Sequence, residues 1–412
     1  MTTDHPNPSH LDEQTRLLIS GCEFGDVELE RAMGQRLRER LAQASEGQRA
    51  LRVYAGYDPS APDLHLGHSI TLRKLRQFQQ LGHDVTVVLG TVTAMVGDTS
   101  DRTSSRPRRS PQEVEAAAAT YAEQIALILD PARTTVAKNS DWLGELQPAQ
   151  ILDLASEFTV QQFLARDNYR RRLERGEPVG LHEFFYALLQ GYDAVYLRAD
   201  VQLGATEQLF NIFAGAKLQE AAGQKPCAAL TFPILVGTDG VERMSKSRGN
   251  SIGLAEAPDE QFGKAMSISD ATMLQWAGLI TEWSPSDVAR FRDDVLAGRI
   301  HPMEAKKRLG RHIVEMYHGG EASWAAQERF ERVHQRGAEP DVMPEVVLAQ
   351  PIPLVDFILE VGAAASRSAA RRLIVGGGVS IDGQKATAVE HAVTAPATVK
   401  VGPRRFYRAV LP

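Results

Sequence analysis

The 412-residue chain is 43% hydrophobic and 24% charged, with a formal net charge of −6. That apolar content, and only two cysteines (Cys22 and Cys227) in no metal-type spacing, exclude collagen-like, disordered and disulfide-framework classes. No apolar run approaches the roughly 18 residues of a membrane span and the first residues carry no secretory pattern, so a soluble, cytoplasmic protein of about two to four domains is expected.

Residues 1–50 read as charged helix, with the alternation of Glu28 to Ala44 suited to a solvent-facing surface. Leu51-Arg-Val-Tyr-Ala is a short apolar strand, followed by helical periodicity from His68 to Leu81 and a stop at Gly82. Asp84-Val-Thr-Val-Val-Leu-Gly reads as a second strand, 111–129 as a helix opened by Pro111, and Thr134-Thr-Val-Ala-Lys as a third strand. After further helical stretches, Ala228 to Val236 is the fourth strand. Strands alternating with helices predict a parallel sheet covered on both faces, with ligands at the strand carboxyl ends. Residues 254–335 read as all helix, in segments 257–266, 270–277, 286–297, 302–317 and 321–333. Gly337–Pro353 holds four prolines without a period and reads as linker. A last unit opens helical and ends in short strands with glycine turns, and no internal repeat is present. From Ala365 to Pro412 eight Lys/Arg face two acids, a net of +6 there against −12 elsewhere. A basic tail on an acidic body points to nucleic acid, the alternative being a solvated small domain.

Two segments carry chemistry. In Tyr54-Ala-Gly-Tyr-Asp-Pro-Ser-Ala-Pro-Asp-Leu-His-Leu-Gly-His, Gly56 and the prolines shape a rigid loop, and His65 and His68 lie one turn apart as a helix opens. Free N–H groups there attract an anion, Gly67 permits close approach of a ligand, and two imidazoles can donate to phosphate oxygens. Capping histidines or a weak metal pair are the alternatives. Neither a P-loop nor a G-x-G-x-x-G pattern is present. The second segment, Glu242-Arg-Met-Ser-Lys-Ser-Arg-Gly-Asn, is a polar loop with Arg243, Lys246 and Arg248, able to close over a polyphosphate or to stand as an exposed basic loop.

His65-Leu-Gly-His68 resembles the HIGH motif, and Arg243-Met-Ser-Lys-Ser247 the KMSKS motif, of class I aminoacyl-tRNA synthetases. Tyr186-Ala-Leu-Leu-Gln190-Gly-Tyr-Asp193, with Tyr186, Gln190 and Asp193 on one helix face, resembles the tyrosyl-tRNA synthetases of bacterial type in particular. The resemblance covers nearly the whole chain after about residue 50 and implies a Rossmann-like α/β catalytic domain (1–250), an α-helical anticodon-side domain (251–336), a linker (337–351) and a small α+β RNA-binding domain (352–412). It implies ATP between the two motifs, with His65, His68, Lys246 and Arg243 acting on the phosphates and Mg²⁺ accompanying the nucleotide. Gly56, Asp58, Gly67, Thr71, Gly204, Glu207, Met244, Arg102 and Arg106 are implied as further ATP contacts. By the same resemblance Tyr54 and Asp193 bind the phenol hydroxyl of L-tyrosine, and Tyr186, Gln190 and Asp98 its α-ammonium, while Thr93, Gln202 and Gln208 complete the pocket. A buried acceptor that needs the substrate hydroxyl rejects phenylalanine, because the acceptor is otherwise left unpaired.

The helix beginning Asp167-Asn-Tyr-Arg-Arg-Arg offers cations to the acceptor stem of tRNA(Tyr), or is a solvated helix with pairs such as Asp167–Arg171. Arg367, Arg371 and Arg372 in the terminal unit, which resembles the RNA-binding domain named for a small-subunit ribosomal protein, are implied to sit on RNA phosphates. A homodimer through residues about 140–180 is implied, and no membrane partner. The chain departs from the family pattern at Arg243, Ala205, Glu207 and Thr99-Ser-Asp101. Two alternatives to a tyrosine–tRNA ligase are therefore kept, a synthetase-like RNA-binding protein with weakened catalysis and the related tryptophan enzyme.

Overall fold

The computed structural model describes residues 8–59, 61–98, 100, 110–335, 343–402 and 405–412. The chain forms two compact units, one of Met1–Ala257 with Lys264–Leu309 and the other of Pro258–Gly263 with Gly310–Pro412.

The first unit is built on a sheet of five parallel strands, β1 (Arg52–Tyr57), β2 (Asp84–Leu89), β3 (Thr134–Lys138), β4 (Val201–Ala205) and β5 (Ala228–Phe232). Their spatial order is β3-β2-β1-β4-β5. The order reverses between β1 and β4, so loops leaving these two strands diverge and open a crevice at their carboxyl ends. The core follows from the strand sequences: Val53, Tyr54 and Ala55 of β1 and Val85, Val87 and Val88 of β2 are buried, as continuous apolar runs covered on both faces require. Helix Leu66–Gln80 joins β1 to β2, and helix Leu209–Ala221 joins β4 to β5.

The four strands read from the sequence are present, and a fifth, β4, went unread. Val-Gln-Leu-Gly-Ala breaks its apolar run with Gln202 and Gly204, yet Gln202 is buried because β4 lies between β1 and β5. The fourth strand ends at Phe232 rather than Val236, since Pro233 has no N–H to continue the ladder. The helix expected over 111–129 divides into Pro111–Ala118 and Tyr121–Ile125. Two helices precede the sheet, Pro8–Ile19 and Val27–Glu46, the second capped by Asp26. Lys74 fixes the end of the first by donating to Leu17 O (3.1 Å) and Ser20 O (3.0 Å). Arg40, Arg49 and Arg52 converge on buried Asp200 at the amino end of β4.

Residues 258–330 are helical as expected, in Pro258–Ser267, Asp270–Leu279, Pro285–Leu296 and Pro302–Phe330. The last is broken at Gly319, whose φ of 83° a side chain would strain, so the two helices read there are joined by a kink. In the second unit Leu354–Glu360 and Arg367–Val375 pack on a five-stranded sheet through Leu354, Phe357, Ile358, Ala370, Ile374 and Val399. One strand of that sheet, Glu345–Val347, lies inside the stretch read as linker. Its pairing, parallel to Arg408–Val410, is distant in sequence and leaves no local signature.

Candidate active site

The crevice at the reversal point of the sheet is a cavity of about 1030 Å³. On one side stands the amino end of helix Leu66–Gln80. His65 is its N-cap, with Nδ1 accepting from the Gly67 N–H (3.2 Å), and the Nδ1 of His68 accepts from the His65 N–H (3.1 Å). An Nδ1 that accepts must be unprotonated, so each neutral ring carries its proton on Nε2 as an outward donor. Burial holds both rings neutral, pushing His68 down to about 4 and His65 well below its ordinary value, where its neighbour His68 also opposes charge. The motif is therefore a capping pair and a donor pair together. Gly67 is required by closeness, since a Cβ there would lie 3.0 Å from the His65 ring. Thr71, a turn further on, bonds the Tyr57 hydroxyl (2.7 Å).

Opposite, residues 235–250 form the signature loop. Met244 N–H donates to Leu235 O (2.8 Å) and Gly237 N–H to Glu242 O (2.7 Å). Buried Asn250 holds the loop from within, donating to Asp239 (2.7 Å) and Arg243 O (3.0 Å) and accepting from the Ser245 N–H (2.8 Å). Lys246 contacts Asp63, Arg248 contacts Glu242, and Arg243 lies 3.5 Å from Glu207. Arg243 and Glu207 both depart from the family pattern, and they face each other.

The deep end of the cavity is assembled from β1, β2 and helix Leu181–Tyr196. Asp58, just past β1, accepts from Tyr186 Oη (3.0 Å) and Thr93 Oγ1 (2.7 Å). Asp98 accepts from the Ser100 N–H (2.9 Å) and from the Gln208 amide. Asp193 is buried and accepts from Trp142 Nε1 (2.8 Å) and Asn139 Nδ2 (3.4 Å). Burial pushes its carboxyl up to about 8 against those two donors. The Tyr54 phenol is driven well above its ordinary range by burial and then by Asp193. Three side-chain oxygens here, Tyr54 Oη, Gln190 Oε1 and Gln202 Oε1, are buried without a hydrogen-bond partner among the described residues.

Gly56, Asp58, His65, Gly67, His68 and Thr71 line the cavity, as do Thr93, Asp98, Tyr186, Gln190 and Asp193. Gly204, Glu207, Gln208, Arg243, Met244 and Lys246 complete the wall. Tyr54 and Gln202 are fully buried and not part of that wall. Arg102 and Arg106 lie outside the described residues, as do Thr99 and Asp101. Arg367, Arg371 and Arg372 are exposed on a helix of the second unit. Arg172, read as one of a cation cluster for RNA, is instead buried and paired with Glu183, and Asp167 pairs with Arg170 rather than Arg171. Sequence reasoning missed Asn139, Trp142 and Asn250. The one available signal was an asparagine directly after a strand, at Asn139, where an α/β sheet places its ligands.

The matching family model, tRNA synthetases class I (W and Y), spans residues 46–335, and the S4 domain model spans 352–397. With a parallel sheet, a histidine-capped helix and a cationic loop facing it, the chain has the fold of the class I tRNA synthetases and belongs to them. It is 44% identical over 377 residues to a tyrosine–tRNA ligase of Geobacter sulfurreducens, spanning 90% of this chain and 94% of that one. It is 41% identical over 404 residues to one of Desulfotalea psychrophila, spanning 97% and 98%. Within that class, the chain belongs to the tyrosine–tRNA ligase family. A tyrosyl-tRNA synthetase from Archaeoglobus fulgidus, solved with L-tyrosine, superposes with a TM-score of 0.58 at 22% identity over 77% of this chain and 99% of that one, a likeness of fold.

Proposed function

We propose that the protein activates L-tyrosine with ATP and transfers the tyrosyl group to the 3′ end of tRNA(Tyr). In the first step a tyrosine carboxylate oxygen attacks the α-phosphorus, the bond to the bridging oxygen breaks, and pyrophosphate leaves with the electron pair. In the second a terminal ribose hydroxyl attacks the activated carbonyl and AMP departs. No protein nucleophile is required, so catalysis is positioning and charge stabilisation. His65 and His68 donate from Nε2 to phosphate oxygens, Lys246 and Arg243 neutralise charge on the leaving pyrophosphate, and Gly56, Asp58, Thr71, Gly204, Glu207 and Met244 seat the nucleotide. Mg²⁺ is expected to accompany the nucleotide.

The observation that carries the substrate assignment is Tyr54 Oη beside Asp193, buried and without a partner among the described residues, as are Gln190 Oε1 and Gln202 Oε1. A buried unpaired polar atom costs about 1–3 kcal/mol, which a phenol hydroxyl and an amino-acid head group bonding these atoms would remove. The relatives reported above carry the tyrosine name, so the tryptophan and inert alternatives are not favoured. The test is tyrosine-dependent exchange of pyrophosphate into ATP. Lys246→Ala and His68→Ala are each expected to lower it by about 10²–10³, with the circular dichroism spectrum unchanged. Exchange driven by tryptophan and not by tyrosine would overturn the assignment.

Functionally we carry forward the division into catalytic (1–250), helical anticodon-side (251–336), linking (337–351) and RNA-binding (352–412) parts. Support for the last comes from the S4 match and from Arg371 and Arg372, exposed on one helix. A homodimer through residues about 140–180 is supported by helix Pro148–Ser156, which buries none of its residues, and by Leu152, Val160 and Leu181 at 70%, 57% and 72% exposure. A cytoplasmic location agrees with free Cys22 and Cys227 and with the absence, among the described residues, of a helix long and apolar enough to cross a membrane.

A further inference from the structure

Arg166 lies outside the cavity wall, at the N-cap of helix Asp167–Glu174, and no motif singles it out. Its guanidinium rests 4.5 Å from the centre of the Phe210 ring and 5.3 Å from that of Tyr169. Held between those faces, it donates from Nη2 to Ser100 Oγ (2.7 Å) and from Nη1 to Asn211 Oδ1 (3.4 Å). Fully buried Asn211 in turn donates to Ser100 Oγ (3.2 Å) and to Gln208 Oε1 (3.1 Å). Both branches end on one carboxylate, the Ser100 N–H on Asp98 Oδ1 (2.9 Å) and the Gln208 amide on Asp98 Oδ2.

We propose that Arg166 is a positioning residue for Asp98: by fixing Ser100 directly and Gln208 through Asn211, it aims the carboxylate that receives the substrate's α-ammonium. The proposal rests on the reading of Asp98 given above. Among the described residues each Asp98 oxygen accepts one hydrogen bond, which fixes the plane of the carboxylate and leaves lone pairs for a cation. Neither supporting donor stands alone, because Ser100 and Gln208 share Asn211. Removing the guanidinium takes one hydrogen bond from the Ser100 hydroxyl and one from Asn211, leaving the pair to hold each other, so both supports loosen together. Burial lowers the proton affinity of the guanidinium, and the fields of Tyr169 and then Asp98 oppose that loss. Arginine suits the place because its flat group stacks on two rings while donating in its own plane, a geometry that lysine lacks.

The test compares two ligands by calorimetry, L-tyrosine and 3-(4-hydroxyphenyl)propionate, which keeps the phenol and carboxylate but has no ammonium. In Arg166→Met the affinity for L-tyrosine is expected to fall by about 10-fold while that for the desamino compound stays within about 2-fold. Arg166→Lys, which keeps charge but not the fork, is expected to recover part of the loss. Asp98→Asn is expected to show the same selectivity, and the double variant to lose no more than Asp98→Asn alone. Equal weakening of both ligands in Arg166→Met, or no weakening, beside a selective Asp98→Asn overturns the positioning role and leaves the reading of Asp98 standing. A non-selective Asp98→Asn overturns that reading and the proposal with it. Retained binding of the desamino compound shows that the variants are folded.

Discussion

The end of the cavity proposed for tyrosine combines firmly bonded groups with oxygens that have no partner among the described residues. Asp193 is held by Trp142 and Asn139, whereas Tyr54 Oη next to it has no hydrogen-bond partner among the described residues. Gly90 shows how tight the support is, because a Cβ there would lie 2.1 Å from Asp58 Oδ1 and 2.4 Å from Thr93 Oγ1. Gly90→Ala is expected to separate that pair, release Tyr186 from Asp58 and raise the KM for tyrosine by about 10-fold or more, as measured by pyrophosphate exchange. The buried His68 makes stability pH-dependent in a stated direction. Its pKa falls from 6.5 to about 4 on folding, so between those values the unfolded chain binds more protons than the folded one. Stability from this group is therefore present above pH 6.5 and lost as the pH falls toward 4. Urea midpoints measured across that window are expected to slope less steeply in His68→Asn than in the parent.

At the scale of elements, the reversal between β1 and β4 brings residues of distant segments to one crevice, and each element has its own local fastening. The signature loop is fastened by Asn250, which spans Asp239, Arg243 and Ser245. Replacing it with alanine leaves the Ser245 N–H and the Arg243 carbonyl without these bonds. Asn250→Ala is expected to lower the rate of adenylate formation by about 10-fold or more in stopped-flow measurements, with tyrosine affinity unchanged, since the residues proposed to bind tyrosine are on other elements. Helix Asp167–Glu174 illustrates the opposite lesson. Its run of arginines reads as a cationic face, yet Arg172 turns inward to Glu183, and only packing decides which arginine does so. The HIGH-like and KMSKS-like segments were legible because their chemistry is local. Asn139, Trp142, Asn250 and Arg166 were not, because each acts through a contact with a residue far along the chain, or, for Asn250, through backbone groups that no side-chain pattern displays.

For the whole molecule, the net charge of −6 averages an acidic body and a basic tail, so the total is a poor guide to partners. The exposed apolar side chains of 148–181 belong to this scale, since apolar surface presented by several short helices is costly unless covered. Leu152→Glu with Val160→Glu is expected to shift the mass from dimer to monomer in light scattering without changing the circular dichroism spectrum, and a mass that stays dimeric would remove these residues from the interface. Legible in the sequence were the alternation of strands and helices, the HIGH-like and KMSKS-like segments and the polar face of helix Leu181–Tyr196, all properties of residues within a few turns of one another. Tertiary structure alone decided the place of β4 beside β1, the strand Glu345–Val347 in a proline-rich stretch, the burial of Arg172 and the supports of Asp98 and Asp193. Those depend on which distant segments meet, and burial, pairing and pKa are set by the neighbours that the fold supplies.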